Sequence, residues 1–207
     1  GYFLNSWHPN QLSFESNGLI IKLEADTAFL TNKSAVSGEY TTKKMYKYGL
    51  YKVRLKVSST PGTISGFFTY TGPVEGTQHD EINIEIKGDD PTKMQVNYWN
   101  NDIQHPTLIN LKFDASAAEH DYAFRWSEKG IQWYVDDRLV HEENGSHGPL
   151  PVTAGKIILN HWGAVNALPW STDYIVSDTP SLMTVTRISF TSELPATRSA
   201  DMKQRTM

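Results

Sequence analysis

The chain has 207 residues, a formal net charge of −4, no cysteine, six Trp and ten Tyr, a length that all-β sandwiches occupy as a single domain. Disulfides, thiol nucleophiles and Cys-ligated metals are excluded, and Lys and Arg are too scattered to make the electrostatic footprint of nucleic-acid binding. No apolar run approaches the roughly 20 residues of a membrane span, so no membrane partner is expected. The opening "GYFLNSW" is already strand-like, from which a leader removed ahead of residue 1 and a secreted or periplasmic location are expected. Alternation of apolar and polar residues then recurs in "GLIIKLEA" (18–25), "YGLYKVRLKV" (48–57), "ISGFFTYTG" (64–72), "EINIEIKG" (81–88) and "KMQVNYW" (93–99). It continues in "YAFRW" (122–126), "IQWYVDDRLVHEE" (131–143), "GKIILNHW" (155–162) and "MTVTRISF" (183–190). Each run is bounded by turn-forming residues and reads as a strand; nine or more strands need two sheets. Asp136-Asp137 predicts a tight hairpin, because Asp tolerates the positive φ such turns require. No segment sustains a 3.6-residue period, so the fold class is all-β. The loop "VNALPWSTDY" (165–174) sets Trp170 and Tyr174 beside a proline, and aromatic residues on a loop are candidates for binding. A sandwich domain over 1–192 and a polar, frayed tail over 193–207 are expected.

One strand carries potential chemistry. In "HDEINIEIKG" (79–88), alternation puts Ile82, Ile84 and Ile86 on one face and Glu81, Asn83, Glu85 and Lys87 on the other. A solvated outer face would explain such a row equally well. Two carboxylates on one face, however, raise the pKa of one of the pair, and two carboxylates flanking a scissile bond are what glycoside hydrolysis requires. Residues four apart in a flat strand lie about 13 Å apart, so a curved sheet is needed to lean the two side chains together. Neighbouring strands repeat the pattern at i and i+2: Phe68 with Tyr70, Asn97 with Trp99, Asn160 with Trp162. Amides and rings on one face of three strands suit a groove that bonds hydroxyls and stacks on sugar faces.

With these residues in place, the chain resembles glycoside hydrolase family 16, the group of bacterial lichenases (endo-β-1,3-1,4-glucanases), laminarinases, exopolysaccharide depolymerases and xyloglucan transglycosylases. The family signature Glu-x-Asp-x-Glu, preceded by Asp, reads "DEINIE" here, within "GFFTYTGPVEGTQHDEI". "YKYGLYKVRLK", "INLKFDAS", "HDYAFRW", "IQWYVDD" and "AGKIILNHW" keep the family's order, and the likeness spans roughly residues 5–190. It implies a curved, concanavalin A-like jelly-roll sandwich of two antiparallel sheets with a concave substrate cleft. It further implies a monomeric, retaining endo-β-glycanase acting on a β-glucan or related exopolysaccharide, with Glu81 as nucleophile and Glu85 as general acid/base. Transglycosylation, or a non-catalytic carbohydrate-binding role, stands as the alternative. Sugar-contacting positions are implied at Asn5, Glu39, Phe68, Tyr70, His79, Asn97, Trp99, Asn160, Trp162 and Trp170.

Three departures from the family pattern stand out. Asn83 replaces the signature Asp, keeping a hydrogen bond to Glu81 but losing a charge; a weaker or pH-shifted catalyst is the expected consequence. His79 stands where lichenases carry Trp, removing one stacking surface, and Thr41 replaces an Arg. The family's calcium-binding Asp corresponds to Thr186, so no cofactor is expected. The histidines, among them His105, His120 and His161, lack metal-ligand spacing, and no metal site is expected.

Overall fold

The computed structural model describes residues 2–177 and 179–193; the tail expected over 193–207 lies outside the described residues from 194 onward. The strands in chain order are β1 (Asn5–Trp7), β2 (Leu12–Glu15), β3 (Gly18–Ala25), β4 (Ala35–Ser37), β5 (Glu39–Tyr46), β6 (Gly49–Lys56), β7 (Thr63–Thr71) and β8 (Asp80–Lys87). They continue with β9 (Lys93–Asn100), β10 (Ile103–Gln104), β11 (Thr107–Asn110), β12 (His120–Ser127), β13 (Gly130–Val135), β14 (Arg138–Glu143), β15 (Gly155–Gly163) and β16 (Ser181–Ser192). Two single-turn 3-10 helices, Pro9–Gln11 and Pro73–Glu75, complete the regular structure of the described residues.

These strands form two sheets. One runs β1-β4-β3-β16-β6-β12-β13-β14 with β2 on β3; the other runs β10-β9-β8-β7-β15-β5 with β11 on β9. Neighbours pair antiparallel except β1 and β4, which run parallel with Asn5 opposite Ala35, a single exception to the antiparallel sheets expected. The Asp136-Asp137 hairpin forms as its chemistry requires, both residues at positive φ (47° and 61°).

The alternation that defines β8 also sandwiches it. Ile82, Ile84 and Ile86 are all but fully buried and share one core with Phe67 of the neighbouring β7 and with Tyr51 and Phe124 of the opposite sheet, where Tyr51 stacks on Phe124 at 4.6 Å and Phe124 packs on Phe67 across the sheets at 5.4 Å. Burying each isoleucine is worth about 1.5–3 kcal/mol, and that fixes which face of β8 turns inward: a one-residue slip would exchange it with the carboxylates. Trp133 on β13 reaches across the core and donates its indole N–H to the carbonyl of Asn83 at 3.1 Å. The N-terminal end of β8 is tied by buried Asp80, whose Oδ2 accepts the backbone N–H groups of Val152 and Thr153, each at 2.9 Å. The strand is therefore held from behind and at its entry, with its polar row facing away from the core.

Candidate active site

Register carries the polar row of β8 sideways into its neighbours. Tyr70 on β7 and Trp99 on β9 flank Glu81, Phe68 and Asn97 flank Asn83, and Gly66 and Gln95 flank Glu85. One strand further, Asn160 on β15 lies opposite Gly66 and Glu39 on β5 lies opposite Asn160. Gly66 is the small member of this set: a Cβ there would stand 2.6 Å from Asn160 Oδ1, so its absence leaves room beside Glu85.

The two glutamates sit in different surroundings. Glu81 accepts from Asn83 Nδ2 at 2.5 Å through Oε1, and its Oε2 lies 2.9 Å from His79 Nε2. No such donor reaches Glu85 among the described residues. Burial on the cleft floor, and after it the nearby charge of Glu81, push the Glu85 carboxyl up to about 8. One carboxylate is thus held by donors while the other keeps its proton near neutral pH, the division of roles that acid-assisted displacement needs. The negative charge missing at residue 83 is not required for this elevation. Glu39 is also raised by burial, an effect opposed by hydrogen bonds from Asn160 and Thr41.

Glu81, Asn83 and Glu85 form the divide between two halves of one groove. On one side a cavity of about 580 Å³ extends past Gln95, Asn97 and Trp99 to the 166–170 loop. On the other a cavity of about 340 Å³ extends over Phe68, Tyr70, Glu39 and Asn160 to Trp7. Trp162 and Phe3 line both. A chain lying in this groove would run past the carboxylates in both directions. Trp170 forms the wall: it stacks on Trp162 at 5.8 Å and 22°, donates Nε1–H to Gln95 Oε1 at 2.6 Å, and its carbonyl accepts from Lys87 Nζ. Residues 2–178 match the family described as Glycosyl hydrolases family 16.

The chain belongs to glycosyl hydrolase family 16. Among its relatives, a β-glucanase of Paenibacillus polymyxa is 42% identical over 170 residues, covering 82% of this chain and 69% of the relative. The solved β-glucanase of Bacillus licheniformis superposes with a TM-score of 0.86 at 35% identity, over 93% of this chain and 87% of its own. A β-1,3-1,4-glucanase (lichenase) from a mouse hindgut metagenome does so with a TM-score of 0.86 at 36% identity, over 92% and 87%.

Of the family 16 positions anticipated from sequence, Glu39, Phe68, Tyr70, Asn97, Trp99, Asn160, Trp162 and Trp170 line the groove with the three β8 residues. Asn97 also braces the site, its Oδ1 accepting the backbone N–H of His105 at 2.9 Å. Asn5 lies elsewhere than expected: it is 1% exposed and its Oδ1 accepts the backbone N–H of Gly163 at 3.0 Å, so it supports the end of β15 rather than facing the groove. Tyr174, offered by its loop as a binding aromatic, is buried in a small cluster with Leu23 and Ala35. His79, expected to contact substrate, lines neither half of the groove; its imidazole is stacked on Trp99 at 5.0 Å and 23°. Gln95, Gly66 and Phe3 were not anticipated. Gln95 was legible, being two residues before Asn97 on the same face; Gly66 and Phe3 depend on cross-strand register and on where the N-terminal segment lies.

At Thr186, the position matched from sequence to the family's calcium-binding Asp, the side chain is a hydroxyl that donates to Glu119 at 3.3 Å. Among the described residues no group of three or more His, Asp or Glu is arranged to hold a metal.

Proposed function

We propose that this protein is a secreted or periplasmic retaining endo-β-glycanase that hydrolyses a mixed-linkage β-glucan or a related exopolysaccharide by double displacement. The observation that carries this reading is the contrast on β8: Glu81 is held by two hydrogen-bonding partners while Glu85, raised to about 8, keeps a transferable proton. In the first step a Glu81 oxygen bonds to the anomeric carbon as the bond to the leaving oxygen breaks and Glu85 gives that oxygen its proton. In the second, Glu85, now a carboxylate, takes a proton from the water that attacks the anomeric carbon, and Glu81 leaves as a carboxylate.

The groove supports a polymeric substrate. It continues on both sides of the carboxylates, which suits attack within a chain. Asn83 Oδ1 and Asn160 Oδ1 are buried without a protein partner, and an acceptor left unpaired in a cleft is completed by a ligand hydroxyl. Trp99, Trp162 and Trp170 offer faces to sugar rings. The lichenase at 36% identity favours a β-1,3-1,4-glucan. Polymers of that size do not cross membranes, which supports action outside the cytoplasm.

The test is a panel of β-1,3, mixed-linkage, xyloglucan and acidic polysaccharides, run on wild type beside Glu81→Gln and Glu85→Gln. Both variants are expected to lose cleavage by about 10³-fold or more, and wild-type kcat/KM is expected to fall as pH rises through about 8, where Glu85 loses the proton it must donate. Cleavage retained in either variant contradicts the mechanism. Binding without cleavage by wild type at any pH would make the protein a carbohydrate-binding member instead.

A further inference from the structure

His79 does more than fill the place of a stacking ring. Its Nε2 lies 2.9 Å from Glu81 Oε2 and its Nδ1 lies 2.9 Å from Asp102 Oδ1. Carboxylates only accept, and a neutral imidazole has a single N–H, so both contacts are satisfied together only by the doubly protonated ring. The ring lies against the face of Trp99 at 5.0 Å and 23°, a surface that attracts a cation. Tyr70 closes the other side, 5.3 Å away and tilted by 52°.

The scaffold holds this arrangement in place. Asn101 and Asp102 form the tight turn between β9 and β10, both at positive φ (50° and 66°), and the backbone N–H of Asn101 donates to the carbonyl of His79 at 2.8 Å. Residue 79 is thereby tied to the turn that carries its second carboxylate. The two partners are unequal: the Glu81 side chain is 14% exposed and that of Asp102 is 80% exposed. Charge on Asp102 is therefore largely screened by solvent, and Glu81 is the partner that counts.

We propose that His79, as an imidazolium between Glu81 and Asp102, is a positioning residue that supplies next to the nucleophile the electrostatic control that Asn83, lacking a charge, does not. Asn83 fixes Glu81 Oε1 with a neutral donor, and His79 fixes Oε2 with a charged one. The cation lies against Glu81 Oε2 at 2.9 Å, where it stabilises the carboxylate as it is released from the glycosyl-enzyme. Asp102 orients the ring and holds the far nitrogen as a donor. The titratable groups facing His79 are Glu81 from β8, Asp102 from the turn and Tyr70 from β7; Glu75, which lies near Tyr70, is paired with Lys156 at 2.9 Å. In agreement with the geometry, the hydrogen bond to Glu81 raises His79 above the ordinary histidine value, partial burial opposes the shift, and Asp102 adds to it.

This inference rests on the catalytic roles proposed for Glu81 and Glu85, so its test has a part that needs no substrate. The His79 imidazole is titrated by NMR in wild type, Glu81→Gln and Asp102→Asn. Wild type is expected to titrate above the ordinary 6.5, with a drop of about one unit in Glu81→Gln and a smaller drop in Asp102→Asn. A wild-type value at or below 6.5, or one unmoved by Glu81→Gln, overturns the proposal whether or not the protein cleaves any polysaccharide. The second part compares the pH dependence of kcat/KM for wild type, His79→Gln and His79→Phe, the last keeping a ring against Trp99. The acid limb is expected to move to higher pH in both variants, because the charged partner of Glu81 Oε2 is lost. A uniform loss with the acid limb in place would mean a merely structural histidine and would overturn the proposal.

Discussion

Asn83 is the residue at which this chain parts from its family's signature. An amide at this position gives Glu81 a donor that cannot ionise, while Glu85 is raised by its own burial and by Glu81. An Asp in its place would add a third carboxyl to the row and could donate to Glu81 only while protonated. Asn83→Asp is therefore predicted to move the pH profile of kcat/KM, with the alkaline limb rising as a new negative charge further disfavours ionisation of Glu85. A profile superimposable on wild type would show that charge at 83 is not felt by the acid. At this scale the glutamates and their shared face were legible, since period-2 alternation and three isoleucines decide orientation. The surroundings of His79 were not: its partner Asp102 is 23 residues away, and only pairing of β8 with β9 brings the two together.

At the scale of elements, the groove is made by strands and its wall by a loop. The loop is pinned from below by Asp89, which accepts from the backbone N–H of Gly62 at 3.0 Å, from Ser171 Oγ at 2.7 Å, and from both the N–H and hydroxyl of Thr172. Trp170 is then locked by Gln95 and Lys87. Asp89→Ala is predicted to loosen Trp170 and raise KM for a polysaccharide by roughly tenfold, about 1.4 kcal/mol, with little change in kcat because the carboxylates are untouched. Steady-state kinetics checks this, and an unchanged KM would mean that the wall does not bind substrate. Sequence singled out Trp170 but could not separate it from Tyr174 four residues later, because only tertiary packing decides which ring turns to the groove and which to the core. Strand β5 escapes the alternation for a related reason. "EYTTKKMY" is polar along most of its length because it is an edge strand with little buried face, yet it delivers Glu39 to the groove.

For the whole molecule, the two sheets are joined by polar as well as apolar contacts. His161 on β15 is fully buried, with Nε2 at 2.8 Å from Ser181 Oγ on β16 and Nδ1 at 3.1 Å from the carbonyl of Ile64. Burial lowers it to about 4, against 6.5 for a free side chain. The unfolded chain therefore binds more protons between these values, and the stability present above pH 6.5 is lost progressively as pH falls toward 4, by roughly 3 kcal/mol. Urea unfolding of wild type beside His161→Gln is predicted to show a steeper loss over this range in wild type; equal slopes would remove His161 as the cause. The overall architecture was legible because nine alternating runs without a helical period leave little but a two-sheet sandwich. The short pairings of β1 with β4 and of β10 with β9 were not, since two or three residues carry no period. The retaining mechanism at the centre of this account is tested most directly by following, by NMR, the anomeric configuration of the first sugar ends released from mixed-linkage β-glucan. Double displacement through Glu81 and Glu85 predicts the β-anomer first, with the α-anomer appearing only through later mutarotation. Initial release of the α-anomer, or no release of reducing ends, would contradict it.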